Sequence, residues 1–435
     1  TAPTKTVTGK VTGAMAMAQQ AEILPSLQAY DFRLQVATHY VANMLAGTVP
    51  AKYVEEIAKD PNVKSITFDN YVYVLDESKK IELGNEMYLK LISQSVPLID
   101  APKVWADGYT GQGVVVIIID TGVDETHKYL QRDGAPLELE EYSFFSGVSG
   151  YVGEHGTHCA GIIASQDDTF KGVAPGIKGY VDIIAISNDG TYISYLIAAL
   201  DKAYEVAVKY KSIGYGVVSS NSWGIPKEVR EDLDNETLYD LRNAAMTLAD
   251  TCPTVFAAGN EGAEGGIRVP ADADRGGNEV ITVGAINREG FVPSWSGRGP
   301  DEGGNEHNEP DVVAPGVGIV STLPNNLIGV MSGTSMATPH VAGIIALMLS
   351  KNPSLTNREA LDALMGTAED GGLEGFDYSY GAGIVSAYRA VNNIPGGELP
   401  LNLPIGPIQI VSIIFTMLGI VMLTRPNEFI HGLRF

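Results

Sequence analysis

Val114-Val115-Val116-Ile117-Ile118-Ile119-Asp120-Thr121-Gly122 is the stretch on which the reading of this chain turns. Six consecutive β-branched apolar residues show no alternation, so both faces of the segment must be covered, as in a central strand of a parallel sheet. A Gly-containing turn follows at once. It leaves Asp120 at the strand's carboxyl end, the rim where open α/β sheets bind ligands. Similar apolar runs recur at 182–186, 216–219, 254–258 and 280–283, with helical segments at 192–211 and 236–251 between them. That alternation predicts an α/β domain built on a parallel sheet with helices on both faces. Thr356-Asn357-Arg358-Glu359 has the form of a capping box and predicts the start of a late helix.

The whole chain, 435 residues, is too long for one ordinary domain. Its 52 acidic against 29 basic side chains give a formal charge of −23. Nucleic-acid partners are thereby disfavoured, because phosphate recognition needs concentrated Lys and Arg. Strong negative charge favours solubility and fits a saline or extracellular setting. Only two cysteines occur, Cys159 and Cys252, so no disulfide framework and no metal-type spacing exists. Two buried free thiols are the favoured reading; a single bridge between them is the other. A start at Thr1 without methionine or an apolar leader fits a removed secretory signal, and equally a trimmed chain.

Three short motifs carry chemistry. Asp120-Thr121-Gly122 alone is weak, since the same tripeptide serves in turns. The second is His155-Gly156-Thr157-His158-Cys159-Ala160-Gly161. Two histidines three apart on a helix could be a metal pair, but neither a third ligand nor a helical Glu base accompanies them, so one catalytic and one structural histidine is the better reading. The third is Gly333-Thr334-Ser335-Met336-Ala337-Thr338-Pro339-His340-Val341-Ala342-Gly343. Here a Gly-containing turn enters an apolar helix at Ser335. Free N–H groups and the positive dipole end at a helix start suit a nucleophile whose product is an oxyanion, although most serines so placed are simple N-caps.

Taken together and in the order Asp, His, Ser, the three blocks resemble the signature motifs of the subtilisin-like serine proteases, the subtilases. Chymotrypsin-like enzymes and α/β-hydrolases run in other orders. A lipase or esterase would carry Gly-x-Ser-x-Gly, whereas 333–337 ends in Ala. The resemblance covers about residues 93–391 and closes on Tyr380-Gly381-Ala382-Gly383-Ile384-Val385. It implies peptide-bond hydrolysis through an acyl-enzyme, with Ser335 as nucleophile, His155 as general base then acid, and Asp120 orienting the imidazole. Ala257-Ala258-Gly259-Asn260 resembles the family's oxyanion element, with Asn260 donating its amide alongside the Ser335 N–H. Ser222-Trp223-Gly224 resembles one wall of the first specificity pocket, and Ala257, Ala258 and Gly259 the opposite wall. Trp223 reads equally well as a half-buried aromatic at a strand end. No carboxylate is evident in these walls, which implies a broad apolar or aromatic preference. The alternative function is a catalytically silent binding or scaffold protein on the same fold.

The flanks complete the expected organisation. Residues 1–30 are read as an N-terminal arm without a core pattern. Residues 31–76 form a small α+β unit: a strand at 40–46, a helix opening at Pro50, a second strand at 63–68 and an extended tail at 71–75. This unit resembles the inhibitor-like propeptides of subtilases, which makes the chain's own propeptide an intramolecular partner. Residues 77–92 are then a processing linker and 93–394 the catalytic domain. Residues 395–404 are a second linker, leading into 405–424, twenty mostly apolar residues that would cover about 30 Å as one helix. A transmembrane helix is preferred there to a buried core helix. Arg425 and Arg434 put the tail 425–435 in the cytoplasm and the catalytic domain at the cell surface.

The resemblance implies no cofactor for the chemistry and raises structural calcium. Gln94 would match a ligand in the family's strongest calcium site, but Tyr129 stands where its partner carboxylate is expected. Asp167, Asp168 and the acidic loop 301–311 are the remaining places for calcium, so the metal ligands are left unknown.

Overall fold

Residues Val114–Asp120 form a strand, β1, buried along its whole length. The computed structural model describes residues 13–60, 63–67, 69–72, 81–82, 95–145, 153–187, 190–275, 278–300 and 308–396. Six further strands join β1 in one parallel sheet: β2 (Glu138–Ser143), β3 (Gly179–Ile184), β4 (Gly216–Asn221), β5 (Thr254–Ala257), β6 (Ile281–Ile286) and β7 (Val312–Pro315). Their order in space is β7-β6-β5-β4-β1-β3-β2, and every pairing is parallel.

The unbroken apolar run of β1 is explained by two cores. Val114, Val116 and Ile118 pack toward helices α1 (Glu154–Ala164) and α4 (Thr334–Lys351). Val115, Ile117 and Ile119 pack on the other face, toward α2 (Ile193–Ser212) and α3 (Asn235–Ala249). Full burial of one such side chain contributes about 1.5–3 kcal/mol. Six of them therefore match the whole net stability of a typical domain, about 5–15 kcal/mol. From β1 the chain runs to β2 and β3 on one side and to β4–β7 on the other. That reversal opens a crevice at the carboxyl ends of β1 and β4, and it decides where the site lies.

Expected elements fall close to their places. The capping box is present, with Thr356 accepting from the Glu359 N–H and Glu359 reaching back to Thr356. Both cysteines are free and buried. The edge strands β2 and β7 were not anticipated.

The N-terminal region differs more. The expected arm contains a helix, Gly13–Gln28, whose Gln20 Nε2 donates to the Thr38 carbonyl (2.7 Å). Its buried apolar residues, Ala16 and Leu27, lie too far apart in sequence to show as a stripe. The expected strand at 40–46 is an antiparallel hairpin, Arg33–Thr38 with Met44–Thr48, and Tyr40 and Val41 belong to its turn. The helix after Pro50 is one 3₁₀ turn, Ala51–Tyr53, followed by Val54–Ile57. No strand forms at 63–67; Phe68 lies outside the described residues.

Several contacts join this region to the larger one. Asp201 of α2 accepts the N–H groups of His39, Tyr40 and Val41 at 3.1, 2.6 and 2.8 Å. Asp69 caps the start of α2 through the Ser194 N–H and hydroxyl. Tyr71–Val72 pairs antiparallel with Thr191–Tyr192. Further on, Ile81–Glu82 adds to the hairpin strand Leu327–Met331. Residues 405–424 and 425–435 lie outside the described residues. Among the described residues no helix is long and apolar enough to cross a membrane.

Candidate active site

The crevice between β1 and β4 gathers the residues that the motifs single out. Asp120 ends β1 and is fully buried. His155, the second residue of α1, offers Nδ1 to both of its carboxylate oxygens, at 2.8 and 3.0 Å. Gly156 lets α1 come this close, because a Cβ there would lie 2.5 Å from the Gly122 carbonyl. Burial alone would lower the His155 pKa. The charge of Asp120, with contributions from Cys159 and from its hydrogen bonds, outweighs burial and holds it well above the usual imidazole value.

Ser335 is the second residue of α4. Its N–H lies in the first turn, where no helical acceptor exists. Pro339 sits four residues on, so the Ser335 carbonyl also lacks the N–H that would normally reach it. Ser222 at the end of β4 fills that place with its hydroxyl (2.8 Å), as does the Cys159 thiol (3.5 Å). In return the Ser335 hydroxyl donates to the Ser222 carbonyl (3.1 Å). Cys159 therefore touches both neighbours, since its Sγ is 4.0 Å from His155 Nδ1. Burial pushes its thiol pKa up, so it stays neutral and does not compete as a nucleophile. In this arrangement the Ser335 hydroxyl bonds to Ser222 rather than to His155.

Asn260 follows β5. Its Oδ1 accepts the N–H and the hydroxyl of Thr334, at 2.8 and 3.0 Å. The oxygen end of the amide is thus committed, and Nδ2 is the end that can donate to an incoming oxygen. His158 is separate from this group. Its ring is fully buried against the Ile319 carbonyl, and burial lowers its pKa to about 3, so it stays neutral.

The two expected pocket walls are bridged by a segment that the motifs did not reveal. The Arg268 N–H bonds the Ala258 carbonyl (2.9 Å), while Val269 and Ile225 exchange two backbone bonds. The Arg268 side chain lies across both walls: a Cβ on Gly224 or Gly259 would meet it at 2.7 or 2.8 Å. Its guanidinium pairs with Glu261, next to Asn260, through Nε (3.1 Å) and through the other fork nitrogen. In sequence Arg268 is a lone basic residue nine positions after Gly259, with no motif around it. The Trp223 indole turns the other way, 1% exposed and edge-on to Phe256 (5.2 Å). It is therefore a core residue, and only its backbone borders the crevice.

Of the places expected to hold calcium, the described residues at the first two, Tyr129, Asp167 and Asp168, have other partners. Tyr129 packs edge-on against Phe170 beneath Lys128. Asp167 is spent on the Thr169 and Phe170 N–H groups, and the exposed Asp168 pairs with Lys171. Gln94 and residues 301–307 lie outside the described residues.

A doubly wound parallel sheet with a carboxylate–imidazole pair and a helix-borne serine at its rim defines a hydrolase of the Asp-His-Ser order. The profile of the subtilase family matches residues 111–383. Subtilisin E of Bacillus subtilis is 32% identical over 365 residues, covering 82% of this chain and 83% of the relative. Subtilisin of Bacillus pumilus is 34% identical over 309 residues, 68% of this chain and 99% of the relative. The major intracellular serine protease of B. subtilis is 32% identical over 265 residues, 60% of this chain and 75% of the relative. The chain belongs to the subtilase family and is a serine endopeptidase. Subtilases need no cofactor for catalysis.

Proposed function

We propose that Ser335 attacks the peptide carbonyl, with His155 as base and then acid, Asp120 fixing the imidazole, and Asn260 Nδ2 with the Ser335 N–H holding the oxyanion. The observation that carries this reading is the 2.8 Å contact of Asp120 with His155 Nδ1. It leaves Nε2, the other ring nitrogen, to face a substrate and the hydroxyl. In this reading the Ser335 hydroxyl leaves the Ser222 carbonyl and gives its proton to that nitrogen. A serine-directed phosphonylating probe should label the wild type and fail on Ser335→Ala; equal labelling of both would refute the assignment of Ser335, and labelling of neither would favour a silent scaffold. Asn260→Ala should lower kcat by about 10²–10³-fold with little change in KM, because the oxyanion exists only in the transition state.

The preference at the first pocket is narrower than the broad apolar one expected from the motifs. Arg268 fills the space between Gly224 and Gly259, and Glu261 neutralises it, so its bulk matters more than its charge. Substrates with small side chains before the scissile bond fit best. Arg268→Gly should raise kcat/KM for a Phe or Leu substrate relative to an Ala substrate. A gain of at least about 10-fold is expected, the scale of hydrophobic pocket discrimination. A panel of matched peptides measures it, and an unchanged ratio removes Arg268 from the pocket.

Residues 31–76, extended back to the helix at 13–28, act in this reading as an inhibitor-like propeptide. Support comes from the three N–H groups held by Asp201 and from Tyr71–Val72 adding a strand beside the crevice. The 405–424 span and a cell-surface location are proposed from sequence alone. Mass spectrometry of wild type beside Ser335→Ala reports autoprocessing, and extraction of membranes at alkaline pH reports the anchor.

A further inference from the structure

The edge of the sheet opposite β7 carries an acidic group that the hydrolytic reading does not use. In β2, residue 138 pairs with Tyr180, residue 140 with Val181 and residue 141 with Asp182, so Leu139 is an extra residue, a bulge. The consequence is a change of face. Leu139 and Glu140 both turn toward α2, where Leu139 packs and Glu140 binds Lys209 and Tyr210. Glu138 and Glu141, three apart, both turn to the opposite face, beside Tyr180 and Asp182. One carboxylate oxygen from each of Glu138, Glu141 and Asp182 lies within 4.8 Å of the others.

Asp182 shows that something belongs among them. The residue is fully buried, and its Oδ2 accepts the Val123 N–H (2.8 Å), yet its Oδ1 has no hydrogen-bond partner. Glu138 Oε2 and the hydroxyl of the fully buried Tyr180 are buried and unpartnered too. Among the described residues no Lys or Arg pairs with Glu138 or Asp182. Orphaned buried oxygens of this kind are rare, because each forfeits its hydration.

We propose that Glu138, Glu141 and Asp182 bind a calcium ion that fastens β2 to β3 at the sheet's edge. Oxygens 2.3–2.6 Å from one calcium ion lie at most about 5 Å apart, which the observed spacing meets. Glu138 and Glu141 are half-buried, which leaves a way in for the ion and for the waters that complete its shell. Burial and the neighbouring Glu125 and Glu141 raise the Glu138 pKa to about 7. Asp182 is raised as well, by burial first and then by Glu138, Asp120 and Glu141. Through Val123 the ion also steadies the turn three residues beyond Asp120.

The test uses full-length Ser335→Ala, which cannot digest itself. Calcium binding is followed by equilibrium dialysis, and melting is compared in EDTA and in about 1 mM calcium, a concentration at which extracellular calcium modules fill. Calcium is expected to raise Tm by about 5 °C or more. Adding Glu138→Gln or Glu141→Gln should abolish that rise and remove one equivalent of bound metal. These two positions are half-exposed, so the variants fold even where Asp182→Asn does not. An unchanged stoichiometry and an unchanged rise in both Gln variants overturn the site. So does a parent protein that ignores calcium, which would mean that shared protons alone neutralise the group. Neither readout involves hydrolysis, so the result is independent of the roles given to Ser335 and Asn260.

Discussion

Ser335→Ala lowers kcat/KM on a peptide substrate by about 10⁶-fold, the scale already established for loss of the nucleophile in a subtilisin. The size of the effect follows from the geometry. With the hydroxyl gone, the Asp120–His155 pair has no proton to remove, and only the amide donors near Asn260 still assist hydrolysis by water. The fold itself hardly notices. One hydroxyl bond to the Ser222 carbonyl is lost, at a cost of about 0.5–1.5 kcal/mol, so Tm should fall by no more than a few degrees. Initial rates on a chromogenic peptide, read beside a thermal melt, separate the two. A residual rate within 100-fold (about 2.7 kcal/mol) of the wild type would remove Ser335 as nucleophile.

Asp120→Asn is expected to lower kcat by about 10⁴-fold, because an amide no longer selects the correct imidazole tautomer. It should also move the pH profile. His155 works as a base only when neutral, and its pKa is held above the usual 6.5 chiefly because the Asp120 charge outweighs burial. In the wild type kcat/KM should therefore climb with pH through a midpoint above 6.5. In the variant the largest opposition to burial is gone, so the midpoint should shift to lower pH even as the plateau collapses. A midpoint that stays in place would mean that another charge sets the His155 pKa.

The parts of the fold visible in the sequence were those with a periodic or chemical signature. β1 announced itself through six apolar residues, and α4 through the turn and apolar run around Ser335. The edge strand β2, Glu-Leu-Glu-Glu-Tyr-Ser, is half-buried on both faces and has a bulge that breaks its alternation, so no period of two survives to be read. The helix at 13–28 buries few side chains and includes Pro25, which argues against a helix until its packing is seen. In the site, Asp120, His155, Ser335 and Asn260 lie in motifs, whereas Arg268 owes its position to two backbone bridges and carries no local mark. Trp223 was ambiguous for a related reason. Neighbouring strand-end residues point opposite ways, and only the sheet decides which one meets the crevice.

The missing donor at Pro339 makes a distance along the chain into a mechanical requirement. Because the ring falls four residues after Ser335, the unsatisfied carbonyl is the nucleophile's own, and the two groups that answer it come from the end of β4 and from α1. A proline one place earlier or later would orphan the carbonyl of Thr334 or Met336, where neither Ser222 nor Cys159 is waiting. The interval between serine and proline is thus a rivet joining three elements, far apart along the chain, at the residue that must not drift.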